Sequence, residues 1–202
     1  MTPTEAAAVR PRVEGDRERE ILEAALQVLA DVGYDRLTMD AVATRARASK
    51  ATLYRRWSTK VSLVIDALLL QKGPAVVPDT GSLRGDLIEA FCGMGGLDSE
   101  AVATLSSVLT AIDRDEEFAR EFRERVIGPK AAISRTIYER AVARGEVRAD
   151  LDVSLFGPAL AGILLHRAYL MGEEPTAERI ARVIDQIILP AAQAPTAKET
   201  HV

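Results

Sequence analysis

Apolar side chains recur three or four residues apart along most of this chain, and the stretches in which they do so are separated by helix-capping residues, glycine and proline. No stretch of useful length alternates apolar and polar residues at a period of two, the pattern of a half-buried strand. Aromatic residues make up only 4% of the chain, while Ala and Leu recur throughout, which favours helix over sheet. The sequence therefore predicts an all-α fold of about nine to ten helices.

The N-terminal part of the chain predicts one long helix followed by three short ones. The long helix extends from about Asp16 to Val32 and is ended by Gly33. Its apolar stripe consists of Ile21, Leu22, Ala25, Leu26 and Leu29. The short helices are one capped by Thr38 and ending near Ala46, one capped by Ser49 and extending from Lys50 to about Arg56, and one from Thr59 to Lys72. A long helix that braces two short capped helices is typical of a three-helix, homeodomain-like helix-turn-helix.

The charge of the chain is unevenly distributed. The net charge is −4, but residues 1–72 hold 12 Lys and Arg against 10 Asp and Glu, a balance of +2. Between Ala41 and Ile65 no acidic residue occurs, whereas six basic residues do: Arg45, Arg47, Lys50, Arg55, Arg56 and Lys60. Clustered cations of this kind neutralise phosphates and release counterions whatever the charge of the rest of the molecule. A solvated basic face is the alternative for the cluster taken alone.

An ordered set of sequence landmarks lies between Ile21 and about Ala67. They are Ile21-Leu-Glu-Ala-Ala-Leu26, Gly33-Tyr34, Thr38-Met-Asp-Ala-Val-Ala43 and Ser49-Lys-Ala-Thr-Leu-Tyr-Arg-Arg-Trp-Ser-Thr-Lys60. In this order they resemble the tetracycline-repressor (TetR) family of bacterial transcription regulators. The resemblance implies an N-terminal DNA-binding domain and a C-terminal helical domain that binds a ligand and dimerises.

Nine residues are candidates for DNA binding, and for seven of them the same resemblance implies the role. It places Thr38 and Lys60 on phosphates and Tyr54 on the DNA backbone. Bases or flanking phosphates are faced by Lys50, Ala51, Thr52 and Arg55, and the set is completed by Ser49 and Arg47. Arg47 stands in the turn between the second and third helices, where the family usually has Gly. If that turn keeps a left-handed residue, a non-glycine there costs roughly 1–2 kcal/mol.

The segment Pro74–Gly81 is the clearest boundary in the chain, because its two prolines and terminal glycine cannot continue a helix. We expect a helix-turn-helix domain with the connecting fourth helix over 16–73, a linker over 74–81, and a ligand-binding and dimerisation domain over 82–192. A flexible arm (1–15) and a flexible tail (193–202) are expected at the ends. The C-terminal helices are expected near Leu83–Met94, Ser99–Asp113, Glu116–Val126, Pro129–Arg144, Asp152–Met171 and Thr176–Ala191.

The expected helix from Asp152 to Met171 is apolar on more than one face and needs cover on two sides. The last helix can cover one of them, and a second subunit can cover the other in a two-fold, four-helix interface. Candidate interface residues are Phe156, Leu160, Ile163, Arg167, Ile180, Ile184, Ile187 and Ile188. The alternative is a wholly intramolecular bundle core.

The middle helices can enclose a pocket for a small molecule. Candidate wall residues are Phe91, Met94, Leu105, Leu109, Phe118, Phe122, Ile137 and Tyr138, and candidate polar groups are His166, Arg167 and Tyr169. Each of these taken singly is more often a core or surface residue than a ligand contact. A histidine such as His166, within an apolar helix, is most often a hydrogen-bonded core residue.

Catalytic and metal-binding classes find little support in the sequence. The only histidines are His166 and His201, and no Cys/His cluster has zinc spacing. We therefore expect no catalytic residue, metal or cofactor. The single Cys92 rules out an intramolecular disulfide and is expected to be a buried small hydrophobe. The chain shows no secretory signal and no uncharged run of membrane-spanning length, which predicts a cytoplasmic protein without a membrane partner.

Together these features predict a ligand-responsive transcriptional regulator, a repressor, that binds a palindromic operator in double-stranded DNA as a homodimer and is released by a small-molecule effector. One alternative is a helical enzyme, against which the acid-free basic run argues. Another is a protein-interaction module that has lost DNA binding, against which Thr38, Tyr54 and Lys60 argue.

Overall fold

The computed structural model describes residues 14–72, 76–93 and 99–193. Its helices are α1 (Glu14–Arg36), α2 (Met39–Arg45), α3 (Lys50–Arg56), α4 (Lys60–Lys72), α5 (Leu83–Cys92), α6 (Ser99–Arg114), α7 (Glu116–Phe122), α8 (Gly128–Ala143), α9 (Val153–Met171), α10 (Ala177–Val183) and α11 (Leu189–Gln193). A π-helical turn joins α7 to α8 at Arg123–Ile127, and a second joins α10 to α11 at Ile184–Ile188. The described ranges thus form nine continuous helical segments and contain no strand, which confirms the all-α prediction.

The ends of the N-terminal helices follow from local chemistry. The Thr38 hydroxyl accepts a 3.1 Å hydrogen bond from the Ala41 amide, and Ser49 caps α3 in the same way. Gly33 has φ 75° and ψ 169°, so the regular part of α1 ends there and a kinked last turn leads to Arg36. Residues 1–13 of the expected arm and residues 194–202 of the expected tail lie outside the described residues, while Gly15 belongs to α1.

The core that we call the first core joins the DNA-reading helices to α6 and α7. Its buried members include Ile21, Leu29, Leu37, Val42, Leu53, Trp57, Leu63, Val64, Val108, Phe118 and Phe122. The Tyr34 ring lies 4.5 Å from the Phe118 ring, centroid to centroid, and Phe118 lies 5.9 Å from Phe122. The helices α6 and α7 therefore extend the core of α1–α4, although the sequence boundary at 74–81 assigns them to the second domain.

The second core is built from α5, α8, α9, α10 and the segment that follows α10. Its buried members include Leu83, Leu87, Ile137, Tyr138, Leu160, Leu164, Ile180, Ile184 and Ile188. Asp86 of α5 is buried beside it and is the one charged residue buried among those described. Its carboxylate accepts hydrogen bonds from the Thr80 amide (2.6 Å), the Thr80 hydroxyl (2.8 Å) and the Arg144 guanidinium (3.2 Å). This group ties the segment before α5 to the end of α8.

Both π-helical turns precede a proline. In the first, the Gly128 amide donates to the Arg123 carbonyl, five residues back, directly before Pro129. In the second, the Leu189 amide donates to the Ile184 carbonyl, directly before Pro190. The expected break between Val126 and Pro129 is therefore wrong. A proline ring clashes with the carbonyl four residues earlier, and the wider turn gives it room, so the helix continues.

The helix α9 buries few of its residues within the chain. By length and composition it is the one described helix that passes the criteria for crossing a membrane, and only 11% of that span is buried. Leu155 and Leu170 are 67% and 73% exposed, and Met171 is exposed as well. His166 lies on the same exposed side, which corrects its interpretation as a core histidine. Cys92, at the end of α5, is exposed, which contradicts the expectation that it is buried.

The candidate dimer residues divide between the interior and the surface. Leu160, Ile180, Ile184 and Ile188 are buried in the second core of the same chain, so they are not available to a second subunit. The helical period places them on the inner faces of α9, of α10 and of the π-helical turn that follows α10. Phe156 and Ile163 are partly buried against the same core, whereas Ile187 is 48% exposed. Arg167 forms an ion pair with Glu173, with 2.6 Å between nitrogen and oxygen.

The candidate pocket residues are separated in the same way. Phe118 and Phe122 are buried in the first core, where Leu105 packs partly buried against them, whereas Ile137 and Tyr138 are buried in the second core, where Phe91 packs. Leu109 points outward and is exposed, and Met94 lies outside the described residues. Tyr169 joins α9 to α6, because its hydroxyl donates a 2.6 Å hydrogen bond to the Val102 carbonyl. These residues therefore do not form one continuous wall, since helical spacing alone does not tell which neighbour a face meets.

Candidate DNA-binding site

The helix α3 is held to the first core by one face. Leu53 is fully buried, and Trp57, four residues later, is buried at the C-terminal end of the helix. Lys50, Ala51, Tyr54 and Arg55 are exposed on the other side, and Thr52 is partly buried. The result is a short helix with an apolar anchor behind and small, polar and cationic groups in front. A helix that enters a major groove needs this division.

The turn between α2 and α3 is closed by backbone hydrogen bonds, from the Arg47 amide to the Thr44 carbonyl and from the Ala48 amide to the Ala43 carbonyl. Arg47 adopts φ 50°, and it is the one described residue other than glycine with a positive φ. The turn therefore keeps its left-handed residue although an arginine occupies the position. Its carbonyl accepts a 2.7 Å hydrogen bond from the Arg17 guanidinium of α1, which fixes the turn against the bracing helix.

Several cations of the acid-free run meet acids from outside that run. The Lys50 ammonium lies 2.5 Å from Asp40, Arg45 lies 2.6 Å from Asp31, and Arg56 lies 3.0 Å from Glu18. The hydrogen bond from Lys50 to Asp40 raises the pKa of the Lys50 ammonium, so Lys50 remains charged. These acids were missed because they precede the run in sequence and reach it only through the packing of α1 and α2.

Lys60, at the start of α4, is held by Tyr34. Its ammonium donates a 3.1 Å hydrogen bond to the Tyr34 carbonyl and lies 4.0 Å from the centroid of the Tyr34 ring. An ammonium has three donors, and this contact uses one, so two can still be offered to a phosphate. Thr38 is exposed at the start of α2, and its hydroxyl oxygen caps that helix. The predicted phosphate-binding residues thus lie at the first turns of α2 and α4.

A further contact, which the sequence reading missed, connects α3 to α4. The Trp57 indole nitrogen donates a 2.8 Å hydrogen bond to Asp66 Oδ2, and Arg125 donates a 2.6 Å hydrogen bond to Asp66 Oδ1. Nothing in the local spacing of Asp66 signals this, because Arg125 lies 59 residues away.

Comparison with known proteins identifies the arrangement. The sequence model of the family "Bacterial regulatory proteins, tetR family" matches residues 21–67. The sequence model of the "Tetracyclin repressor-like, C-terminal domain" matches residues 77–187. The chain belongs to the TetR family. It is therefore a DNA-binding transcriptional regulator of the helix-turn-helix type, and its relatives are regulators, not enzymes.

Two relatives align with most of the chain. A DNA-binding transcriptional repressor TetR of Mycobacteroides abscessus is 38% identical over 179 residues, which are 86% of this chain and 92% of the relative. An uncharacterised HTH-type transcriptional regulator of Mycobacterium tuberculosis is 36% identical over 179 residues, 87% of each chain. Because these TetR relatives align over both parts of the chain, the whole chain, and not only its helix-turn-helix, belongs to the family.

Solved structures share the fold at lower sequence identity. Salmonella enterica GusR superposes with a TM-score of 0.68 at 19% identity, covering 93% of this chain and 98% of that one. The fatty acid degradation regulator FadR of Bacillus halodurans superposes with a TM-score of 0.68 at 16% identity, covering 91% and 100%. At these identities the likeness establishes the TetR fold alone.

Proposed function

We propose that this TetR-family protein is a ligand-responsive repressor that binds a palindromic operator in double-stranded DNA as a homodimer. A small-molecule effector that binds the C-terminal domain releases the repressor from the operator. The observation that carries the proposal is the anchoring of α3, with Leu53 and Trp57 buried and Lys50, Tyr54 and Arg55 directed outward. The repressor of Mycobacteroides abscessus, to which the chain is similar, supports repression over activation.

The proposed DNA interface extends over the outer side of α2, α3 and the start of α4. Its members are Thr38, Arg47, Ser49, Lys50, Ala51, Thr52, Tyr54, Arg55 and Lys60. Side chains at the first turns of α2 and α4 contact phosphates and set the register on the duplex, and side chains of α3 face the base edges. The small side chains of Ala51 and Thr52 let the backbone of α3 approach the floor of the major groove.

The proposed dimer interface is the uncovered side of α9. Leu155, Gly162, His166 and Leu170 follow one another at helical spacing and are all exposed. Apart from the neighbouring backbone of α9, a Cβ at Gly162 would meet no atom of the described residues within 4 Å, so the position is open to a second copy. Exposed apolar area of this extent is costly in water, and a two-fold partner removes it. We propose that a second subunit, and not lipid, covers α9.

The proposed effector site lies in the C-terminal domain, which matches the tetracyclin repressor-like C-terminal model. The contact between Tyr169 and the Val102 carbonyl joins α9 to α6, and α6 packs against α1. A ligand bound between these helices reaches the DNA-reading domain through α6. It releases DNA only if it binds the DNA-free state more tightly, and DNA then weakens the ligand by the same factor. We propose that this cycle takes place in the cytoplasm and needs no cofactor.

Selection of duplexes tests the DNA-binding part of the proposal. The full-length protein is immobilised, duplexes are recovered from a random-sequence pool, and the affinity of a selected duplex is measured against salt concentration. If about six phosphates are neutralised, log affinity falls against log salt with a slope of roughly −5 or steeper. Arg55→Ala should weaken the selected duplex roughly ten-fold, about 1.4 kcal/mol. The control Arg135→Ala, exposed on α8, should not. A slope near zero, or equal losses in both variants, contradicts the proposal.

A further inference from the structure

The Asp66 carboxylate links three parts of the molecule. Its Oδ2 accepts from the Trp57 indole at the end of α3, and its Oδ1 accepts from Arg125 in the π-helical turn between α7 and α8. Asp66 itself belongs to α4. The Asp66 side chain is 26% exposed, so the group is partly sheltered from water. Besides the shared first core, this carboxylate therefore links the end of the DNA-reading helix to the body, with one oxygen bonded on each side.

This geometry restricts the orientation of all three groups. A carboxylate that accepts charge-assisted hydrogen bonds on both oxygens cannot rotate without losing one of them. Trp57 directly follows Arg56, the last residue of α3, and is buried, so its ring cannot shift without moving the end of that helix. The two hydrogen bonds therefore couple the positions of Arg125, Asp66 and Trp57.

The π-helical turn gives Arg125 a second partner. Arg125 Nη1 lies 3.8 Å from Glu121 Oε2, one turn earlier on α7, while Nη2 is bonded to Asp66. Its neighbour Val126 is buried in the first core. Arg125 is therefore shared between Glu121 of α7 and Asp66 of α4. Single π-helical turns of this kind occur frequently at functional sites.

We propose that Asp66 is a positioning residue for DNA reading, and that Arg125 controls the angle of α3 through it. The proposal rests on the proposed DNA binding and adds the residues that regulate it. The connection leads from the π-helical turn to the end of the recognition helix through side chains, in addition to any movement of α4 as a whole.

Trp57 provides a direct probe, because it is the only tryptophan in the chain. In the full-length protein we would compare Arg125→Gln with Arg114→Gln, which removes the same charge from an exposed residue. We expect Arg125→Gln to remain folded by circular dichroism, to change the emission of Trp57, and to bind a duplex selected by the wild type roughly ten-fold more weakly. For an unrelated duplex the two variants should bind alike, since their net charge is equal.

The conservative variant Arg125→Lys separates positioning from packing. Lys can still donate to Asp66, so emission and affinity for the selected duplex should return towards the wild-type values. Wild-type emission and affinity in Arg125→Gln would overturn the proposal. If Arg125→Gln does not fold, Asp66→Asn decides. Its amide oxygen can still accept from Trp57, whereas its NH2 group then faces Arg125 and cannot accept from it. An unchanged preference of Asp66→Asn for the selected duplex overturns the proposal. A wild type that selects no duplex contradicts the proposed function, whereas the emission comparison still tests the connection from Arg125 through Asp66 to Trp57.

Discussion

The Tyr34 hydroxyl donates a 2.8 Å hydrogen bond to Asp115 Oδ2, 81 residues further along the chain. Burial, together with the Asp115 carboxylate, raises the pKa of the Tyr34 hydroxyl well above its usual value, so it remains a donor. Asp115 also caps α7, since its Oδ1 accepts from the Phe118 amide. The kinked end of α1 and the corner between α6 and α7 are thus held together beside Lys60, which lies over the Tyr34 ring.

Tyr34→Phe removes this hydrogen bond and keeps the ring that packs on Phe118. We expect the free energy of unfolding to fall by about 1–2 kcal/mol, because Asp115 loses a donor in a partly buried site. Urea denaturation measures it. Tyr54→Phe is the matched control, since the exposed Tyr54 is predicted to contact DNA and not the core. Equal stability of the two variants would contradict the structural role of the bond.

Arg47→Gly should stabilise the protein by about 0.5–1 kcal/mol. Arg47 holds a left-handed backbone that glycine adopts without steric cost, although glycine loses more entropy on folding. The hydrogen bond from Arg17 to the backbone carbonyl is kept. Arg55→Gly removes the same side chain from within α3 and should destabilise by about 1 kcal/mol. Chemical denaturation of both variants checks the opposite signs, and a loss of stability in Arg47→Gly would show that the turn is unstrained.

Asp86→Asn tests the buried carboxylate. Burial opposes its ionisation, but hydrogen bonds from Thr80 and Arg144 outweigh burial and lower the pKa of Asp86. A lowered pKa in the folded state stabilises the protein above the unfolded-state pKa of about 3.9, and this stabilisation is lost as pH falls through the folded-state pKa. We expect Asp86→Asn to lose about 3 kcal/mol at neutral pH, because Arg144 loses its buried partner.

The pH dependence distinguishes this charge effect from a loss of packing. Thermal or urea unfolding of the wild type and Asp86→Asn at several pH values should give a stability difference that is constant near neutral pH and shrinks below about pH 4. A difference that stays the same down to pH 2 would mean that the carboxylate charge does not matter.

Asp40→Asn should strengthen DNA binding. Asp40 holds the Lys50 ammonium at 2.5 Å in the free protein, and an acid at this edge of α3 repels phosphates. Removing its charge frees Lys50, and the slope of log affinity against log salt should steepen by up to about one. Asp113→Asn, exposed on α6, is the control of equal charge. Fluorescence anisotropy of a selected duplex over a salt series measures both, and identical slopes would contradict the prediction.

Leu170→Asp should separate the proposed dimer without unfolding it, because Leu170 is exposed within the chain. Ile184→Asp should instead unfold the protein, since Ile184 is fully buried and an unpaired charge there is far costlier than the fold can offset. Light scattering and circular dichroism of both variants check this. A stable Leu170→Asp dimer would place the interface elsewhere.

The helix boundaries of the DNA-reading domain could be predicted because their causes are local. Thr38 and Ser49 cap the helices that follow them, and Gly33 takes the positive φ that ends the regular part of α1. The division of α3 into Leu53 and Trp57 inside and Lys50 outside follows from helical spacing, so this part of the site was predictable too.

The core against which each apolar face packs could not be predicted, because it depends on contacts between residues distant in sequence. The sequence pattern is equally consistent with Phe118 as a pocket wall or as a core residue, and only its contact with Tyr34 assigns it to the first core. The sequence alone favours Ile184 as an interface residue, and only the packing of the π-helical turn after α10 assigns it to the second core. The partners Asp40 and Asp66 were missed for the same reason, since each meets its cation through tertiary packing.

The pairing of each π-helical turn with a proline also limits which changes of length the gene can tolerate. Deleting one residue from Arg123–Ile127 would restore a regular helix but rotate every later side chain by about 100° relative to the earlier ones. Phe122 could then remain in the first core only if Tyr138 left the second, because one continuous helix carries both. Surface loops absorb insertions and deletions, whereas the spacing between Phe122 and Tyr138 is fixed to the single residue.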